Sequence, residues 1–139
     1  VVTSNGSTQR VRLYGIDAPE SKQSCSFPNG SHWECGRRST EALRKRVAGG
    51  RVHCVSVNTD RYGRDVALCD VGKADLASWM VRNGWALAYR AYGGKQFDAA
   101  EASAKKARVG VWQGEVTNPW EWRARQRSGG SGELRRTRD

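Results

Sequence analysis

The chain has 139 residues, a length that suits one domain with a sizeable core. Hydrophobic residues make up 37% and charged residues 27%, so the composition is not that of a disordered chain, and no apolar run is long enough to span a bilayer. Twenty-four Lys and Arg against fourteen Asp and Glu leave a formal charge of +10, which points to a polyanion such as nucleic acid; with no basic amphipathic helix, an anionic membrane is the weaker partner.

Residues 1–4 read as a short strand and 4–7, Ser-Asn-Gly-Ser, as a turn. A chain that opens this way is expected to lack a signal peptide or to have lost it. From Gln9 to Ile16 the pattern alternates, with Val11 and Leu13 on one side and Arg10, Arg12 and Tyr14 on the other. Residues 21–36 form a long loop rich in Ser, Gly, Asn and Pro, a length that is uncommon unless functional. A helix is predicted from Ser39 or Thr40 to Val47, stopped by Gly49-Gly50. A hairpin over 51–71 follows, and by parity Val55, Val57, Val66 and Leu68 share one face and are expected to line the core. Asp75 is placed to cap a helix running to Asn83. Residues 85–92, rich in aromatics, read as extended, and Gln96–Arg108 as a third helix. Trp112 and Trp120 are expected to pack the C-terminal segment onto the domain. Residues 123–139 lack apolar periodicity and read as a flexible basic tail, in which Arg135, Arg136 and Arg138 would add non-specific affinity for nucleic acid. The domain is therefore set at 1–122. Strands come first and in pairs with helices inserted and appended, an α+β order that suits a small barrel with helices against it.

The four cysteines show no zinc spacing. If the hairpin reverses about Arg61-Tyr62, Cys54 faces Cys69, within reach of a disulfide. Cys25 then pairs with Cys35 and staples the long loop. Two such bonds imply an oxidising compartment, so a secreted or periplasmic protein is expected. His32 reads as a solvent-exposed loop residue, and His53 as a surface partner of Asp70.

Two short segments carry chemistry. In Arg12-Leu-Tyr-Gly-Ile-Asp-Ala-Pro-Glu20, Gly15 and Pro19 bend the chain so that Asp17 and Glu20 fall on one side. Paired carboxylates with a backbone carbonyl suit a hard cation such as calcium, which neutralises phosphate charge, and a carboxylate beside the attacking water can act as general base. In Asp60-Arg-Tyr-Gly-Arg64, Gly63 is free to take positive φ in the turn, and Arg64 opens the returning strand. Arg12 and Arg64, from different strands, can clamp one phosphoryl group and stabilise a five-coordinate transition state. Tyr62, Tyr89 and Tyr92 can stack on bases.

Four stretches, "RVRLYGIDAPES", "DRYGRDVALC", "VRNGWALAYR" and "EASAKKARVGVW", resemble the staphylococcal nuclease (thermonuclease) family in order and spacing, over roughly residues 8–112. The resemblance implies an OB-fold-type five-stranded β-barrel with three helices. It also implies calcium-dependent cleavage of DNA and RNA that leaves 5′-hydroxyl and 3′-phosphate ends. It implies that Arg12 and Arg64 are the phosphate-binding catalytic arginines, Glu20 the general base, and Asp17 a calcium ligand. Ala18 stands where the founding member has a threonine whose backbone carbonyl binds calcium, and Glu20 reaches the ion through water. Tyr62 and Tyr89 match aromatic residues of the nucleotide site.

The family's pattern also holds a further aspartate ligand, in a turn at the start of the second strand. This chain opens with Val-Val-Thr-Ser-Asn-Gly-Ser and has no matching aspartate, so the first barrel strand and one ligand are expected to be missing, and calcium binding to be weakened or lost. Single-stranded DNA and RNA are the expected partners, with duplex DNA as a further substrate. A monomer is expected, with strand pairing if the chain is truncated. The alternative is a catalytically impaired OB-fold module that binds nucleic acid without cleaving it. A secreted basic protein that recognises an acidic protein partner is a third class, which nothing in the residues favours. The quartet Arg12, Asp17, Glu20 and Arg64 favours the enzyme.

Overall fold

The computed structural model describes residues 10–48 and 50–132, without the side chains of Tyr92 and residues 129–132. The first strand, the turn at 4–7 and the tail arginines Arg135, Arg136 and Arg138 lie outside the described residues. The largest sheet is built on the predicted hairpin. Strand β5 (Val52–Thr59) runs antiparallel to β6 (Asp65–Val71), and β1 (Val11–Leu13) lies parallel on the other side of β6. The short strand β7 (Ala74–Asp75) folds back on the end of β6. Two smaller ladders join β2 (Ile16–Asp17) to β8 (Leu87–Ala88) and β3 (Cys25–Ser26) to β4 (His32–Trp33).

Four α-helices are described: α1 (Cys35–Val47), α2 (Leu76–Arg82), α3 (Asp98–Ala107) and α4 (Pro119–Gly132). Helix α2 starts as its sequence predicts, with the Asp75 carboxylate accepting from the Ser78 N–H at 3.2 Å. Its Ala77, Met80 and Val81 pack with Ile16, Ala86, Ala88 and Phe97 in one core cluster.

The fold is α+β, but among the described residues no sheet closes into the expected five-stranded barrel. The expected three helices are joined by a fourth. The extra helix, α4, crosses the boundary set at residue 122, so 123–132 are helical rather than tail. The first residue of this segment is held to the domain by charge: Arg123 is tied to Asp17 and Glu20, as described below.

Helix α1 begins at Cys35, four or five residues before its predicted start, because the Cys25–Cys35 disulfide anchors its first residue. The loop at 21–36 is accordingly a stapled miniature hairpin, closed by the Phe27 N–H donating to the Ser31 carbonyl at 2.7 Å. The stretch at 85–92 is extended only at β8 and then turns as a 3-10 helix over Arg90–Tyr92. A second 3-10 turn over Gly94–Phe97 precedes α3, which starts two residues after its predicted start.

The second disulfide joins Cys54 to Cys69, directly opposite each other in the β5–β6 register. The sum rule about Arg61-Tyr62 holds from Val52↔Val71 through Ser56↔Ala67, and His53 faces Asp70 as expected. A bulge at Val57 then shifts the ladder by one. The face chosen for the core is the other one. Val55, Val57 and Leu68 are exposed at 58%, 45% and 40% and Val66 is half-buried, while Ala67 and Cys69 are buried with Leu76 against Leu43 and Val47. Strand alternation defines two faces but not which one is covered. The disulfide and helices α1 and α2 occupy the Cys54–Cys69 side, so that side became the core.

Candidate active site

Sharp turns deliver the two motifs to one cleft. After β1 the chain turns at Tyr14-Gly15, and β2 pairs Ile16 with Ala88 and Asp17 with Leu87. Asp17 is thereby sunk in the fold at 4% exposure. Pro19 is buried, and Glu20 follows on the rim with its side chain 38% exposed.

The Glu20 backbone is set by contacts that its own motif does not contain. Gln23, itself 1% exposed, accepts from the Glu20 N–H at 3.2 Å and donates to the Thr117 carbonyl at 2.9 Å. The first turn of α1 is pressed against Glu20 as well: a Cβ on Gly36 would overlap the Glu20 carbonyl oxygen.

The second motif is an Asx-type turn. Asp60 Oδ1 accepts from the N–H groups of Tyr62 and Arg64, both at 2.9 Å, and Oδ2 accepts from Arg64 Nε at 2.7 Å. Gly63 takes φ +80° in that turn. The Asp60 carboxyl lies below its usual range; burial pushes it up, but the Arg64 and Tyr62 N–H groups and the Arg64 guanidinium outweigh that. Tyr62 is 60% exposed, with Arg61 and Arg64 over its ring at 5.1 and 5.8 Å.

Arg12, Asp17, Glu20, Tyr62, Arg64 and Tyr89 all line one open cleft of about 1270 Å³. Its wall carries six arginines, with Arg10, Arg61, Arg123 and Arg127 beside Arg12 and Arg64, against the three carboxylates Asp17, Glu20 and Asp60. Such an excess of positive charge in a concave surface concentrates anions. Arg12 donates to the Ile16 carbonyl at 3.4 Å and stands 4.0 Å from Asp17.

Ala18 lies between the two carboxylates in sequence. Tyr89 is the N-cap of the 3-10 turn Arg90–Tyr92, and the Tyr92 side chain lies outside the described residues. One face of Tyr89 is already covered, because Trp120 stacks on it with ring centroids 4.4 Å apart and planes 8° apart. Trp112 and Trp120 pack on the cluster of Cys25, Cys35, Leu87 and Val111, as the sequence predicts.

The residue that sequence reading missed altogether is Arg123. Its Nη2 donates to Asp17 Oδ2 at 2.6 Å, and its Nη1 donates to both Asp17 Oδ1 at 3.2 Å and Glu20 Oε1 at 2.9 Å. The bond to Asp17 raises the Arg123 pKa; burial opposes this and Glu20 adds to it, so the guanidinium stays charged. Nothing local in the sequence signals a partnership across about a hundred residues. Asp60 was legible as a turn former, but its grip on Arg64 was not assigned. Gln23 carries no motif.

The donor set fits a hard cation in part. Among the described residues no three acidic, histidine or cysteine side chains cluster as a metal site. Asp17 Oδ1 and Glu20 Oε1 nevertheless both accept from one nitrogen, Arg123 Nη1, so one oxygen of each carboxylate faces the same point. Two carboxylates completed by carbonyl oxygen and water are chemistry suited to calcium.

Residues 10–114 match the family model described as "Staphylococcal nuclease homologue". The chain is 34% identical over 136 residues to a micrococcal nuclease of Shigella flexneri, covering 88% of this chain and 72% of that one. It is 34% identical over 123 residues to the staphylococcal-like nuclease CAN1 of Arabidopsis thaliana, covering 86% of this chain and 35% of the other. A succinoglycan biosynthesis protein, ExoI, of Rhizobium meliloti is 31% identical over 107 residues, covering 76% of this chain and 56% of its own. The chain thus spans only about a third to about half the length of several curated relatives. The family match makes the α+β arrangement OB-fold-like. With a family model matched over most of its length, the chain belongs to the staphylococcal nuclease homologue family.

Proposed function

We propose that the protein is a calcium-dependent, sugar-non-specific nuclease that hydrolyses phosphodiester bonds of DNA and RNA to 3′-phosphate products, with its catalytic unit within residues 1–122. The observation that carries this reading is the meeting of Arg12, Asp17, Glu20 and Arg64 in one cleft. Asp17, the Ala18 carbonyl and Glu20 through water would hold calcium, which neutralises phosphate charge when bound. The chain's own residues supply the rest. Glu20 takes a proton from the attacking water. Arg12 and Arg64 hold the phosphoryl oxygens, and their bonds strengthen as charge builds in the five-coordinate transition state. The water oxygen bonds to phosphorus as the phosphorus–O5′ bond breaks, and the leaving O5′ takes a proton from solvent water, which gives a 5′-hydroxyl on one product and leaves the phosphate on the 3′ oxygen of the other. Tyr62 and Tyr89, with Tyr92, position bases. Single-stranded DNA and RNA suit such stacking best. The two disulfides support a secreted or periplasmic location.

Digestion of single-stranded DNA with and without calcium tests the reading. Glu20→Gln and Arg64→Ala are expected to lower the rate by about 10²–10³-fold, the size of effect seen when one transition-state donor or base is lost. Full activity in both variants, or in excess chelator, would falsify it. One observation favours the non-cleaving module instead: a guanidinium already neutralises both carboxylates. Tight binding of single-stranded DNA with no cleavage at any calcium concentration would select that module.

A further inference from the structure

Helix α4 fills two of the places that the proposed reaction needs. Arg123 brings a positive charge between Asp17 and Glu20, at 2.6 Å from one and 2.9 Å from the other. Trp120 lies flat against Tyr89, in the stacked geometry that an unpaired base would adopt. The two residues are three apart, so one turn of α4 presents both. We propose that α4 is a built-in occupant of the active cleft: its guanidinium stands in for the divalent cation, its indole stands in for a nucleobase, and calcium binding requires Arg123 to let go. This inference rests on reading Asp17 and Glu20 as the cation seat.

The competition follows from space and charge. Calcium binds its oxygen ligands at about 2.3–2.6 Å, and the guanidinium nitrogens already stand at hydrogen-bond distance from those oxygens. Two cations at one seat also repel each other. Arg123 cannot step aside by losing its proton, since a guanidinium stays charged, so it has to move. Residues 124–128 are exposed, and Arg123 itself is 31% exposed at its side chain. Trp120, by contrast, is anchored against the cluster around Cys25 and Cys35. Release of the arginine from the two carboxylates is therefore the movement that calcium requires.

The test is calcium titration by calorimetry into the full chain, without nucleic acid, alongside Arg123→Gln, Arg123→Lys and Asp17→Asn. Hydrogen exchange of residues 119–128 is followed with and without calcium. Arg123→Gln is expected to bind calcium at least tenfold more tightly than wild type, with Arg123→Lys between them and Asp17→Asn binding none. Calcium should speed exchange at 119–128 in wild type and leave it unchanged in Arg123→Gln. If Arg123→Gln does not fold, Arg123→Lys carries the same comparison. Equal affinity in wild type and the Arg123 variants, with binding still lost in Asp17→Asn, overturns the competition and leaves the cation seat standing. No calcium binding by wild type or by any Arg123 variant overturns both.

Discussion

Asp60 holds Arg64 by two different atoms: its Oδ1 receives the Arg64 backbone N–H at 2.9 Å and its Oδ2 receives the guanidinium Nε at 2.7 Å. The same Oδ1 receives the Tyr62 N–H, so one carboxylate shapes the turn and aims the arginine. Asp60→Ala is therefore expected to lower the rate on single-stranded DNA by about tenfold or more, since small misplacement of a catalytic group is costly. Asp60→Asn keeps an oxygen for the turn and loses the ion pair, so it should fall between wild type and Asp60→Ala. Steady-state kinetics check the order, and equal rates in all three would show that Arg64 is aimed by other contacts.

The same carboxylate gives stability a signed pH dependence. Its folded-state pKa is lowered from 3.8. Its contribution is therefore fully present above the unfolded value and is lost as pH falls through the folded one. Thermal melts from pH 6 down to pH 2 should show wild type losing its advantage over Asp60→Asn below about pH 4. A constant difference in melting temperature across that range would rule this out.

Gly36 offers a test in which two effects have opposite signs. Inside a helix, Gly→Ala ordinarily stabilises by up to about 1 kcal/mol. Here the new methyl would overlap the Glu20 carbonyl oxygen, so a loss of about 1–3 kcal/mol is expected from forced backbone movement. Urea denaturation of Gly36→Ala decides between them. Activity should fall with stability, because the atom displaced belongs to Glu20.

Gln23 is buried between Glu20 and Thr117, and each end of its amide is bonded. Gln23→Leu keeps most of the volume and leaves a backbone N–H and a carbonyl unpaired, at a cost of about 1–3 kcal/mol for each group that stays dry. The expected result is a less stable protein with a lowered kcat and a largely unchanged KM. A raised KM alone would place Gln23 in substrate binding instead.

Removing the hairpin disulfide by Cys54→Ala with Cys69→Ala opens a loop of sequence separation 15. Loop entropy for that length corresponds to about 3 kcal/mol. The double variant should show this loss in denaturant melts and retain activity once folded, because the bond lies on the core face of the hairpin.

Local chemistry made much of this protein legible from its residues alone. The hairpin at 51–71, the Asp75 cap, the pairing of the four cysteines and the two motifs that meet in the cleft all follow from rules that act over a few residues or across one symmetric turn. The core face of β5–β6, the early start of α1 and the helical run at 123–132 do not. Alternation cannot say which side a helix will cover, helix signals cannot register an anchoring disulfide, and apolar periodicity cannot register the ion pairs of Arg123. Only the tertiary structure set Arg123 against Asp17 and Glu20, Gln23 beneath Glu20, and Trp120 on Tyr89. Those contacts join residues up to about a hundred positions apart, and their energy exists only after the chain has closed.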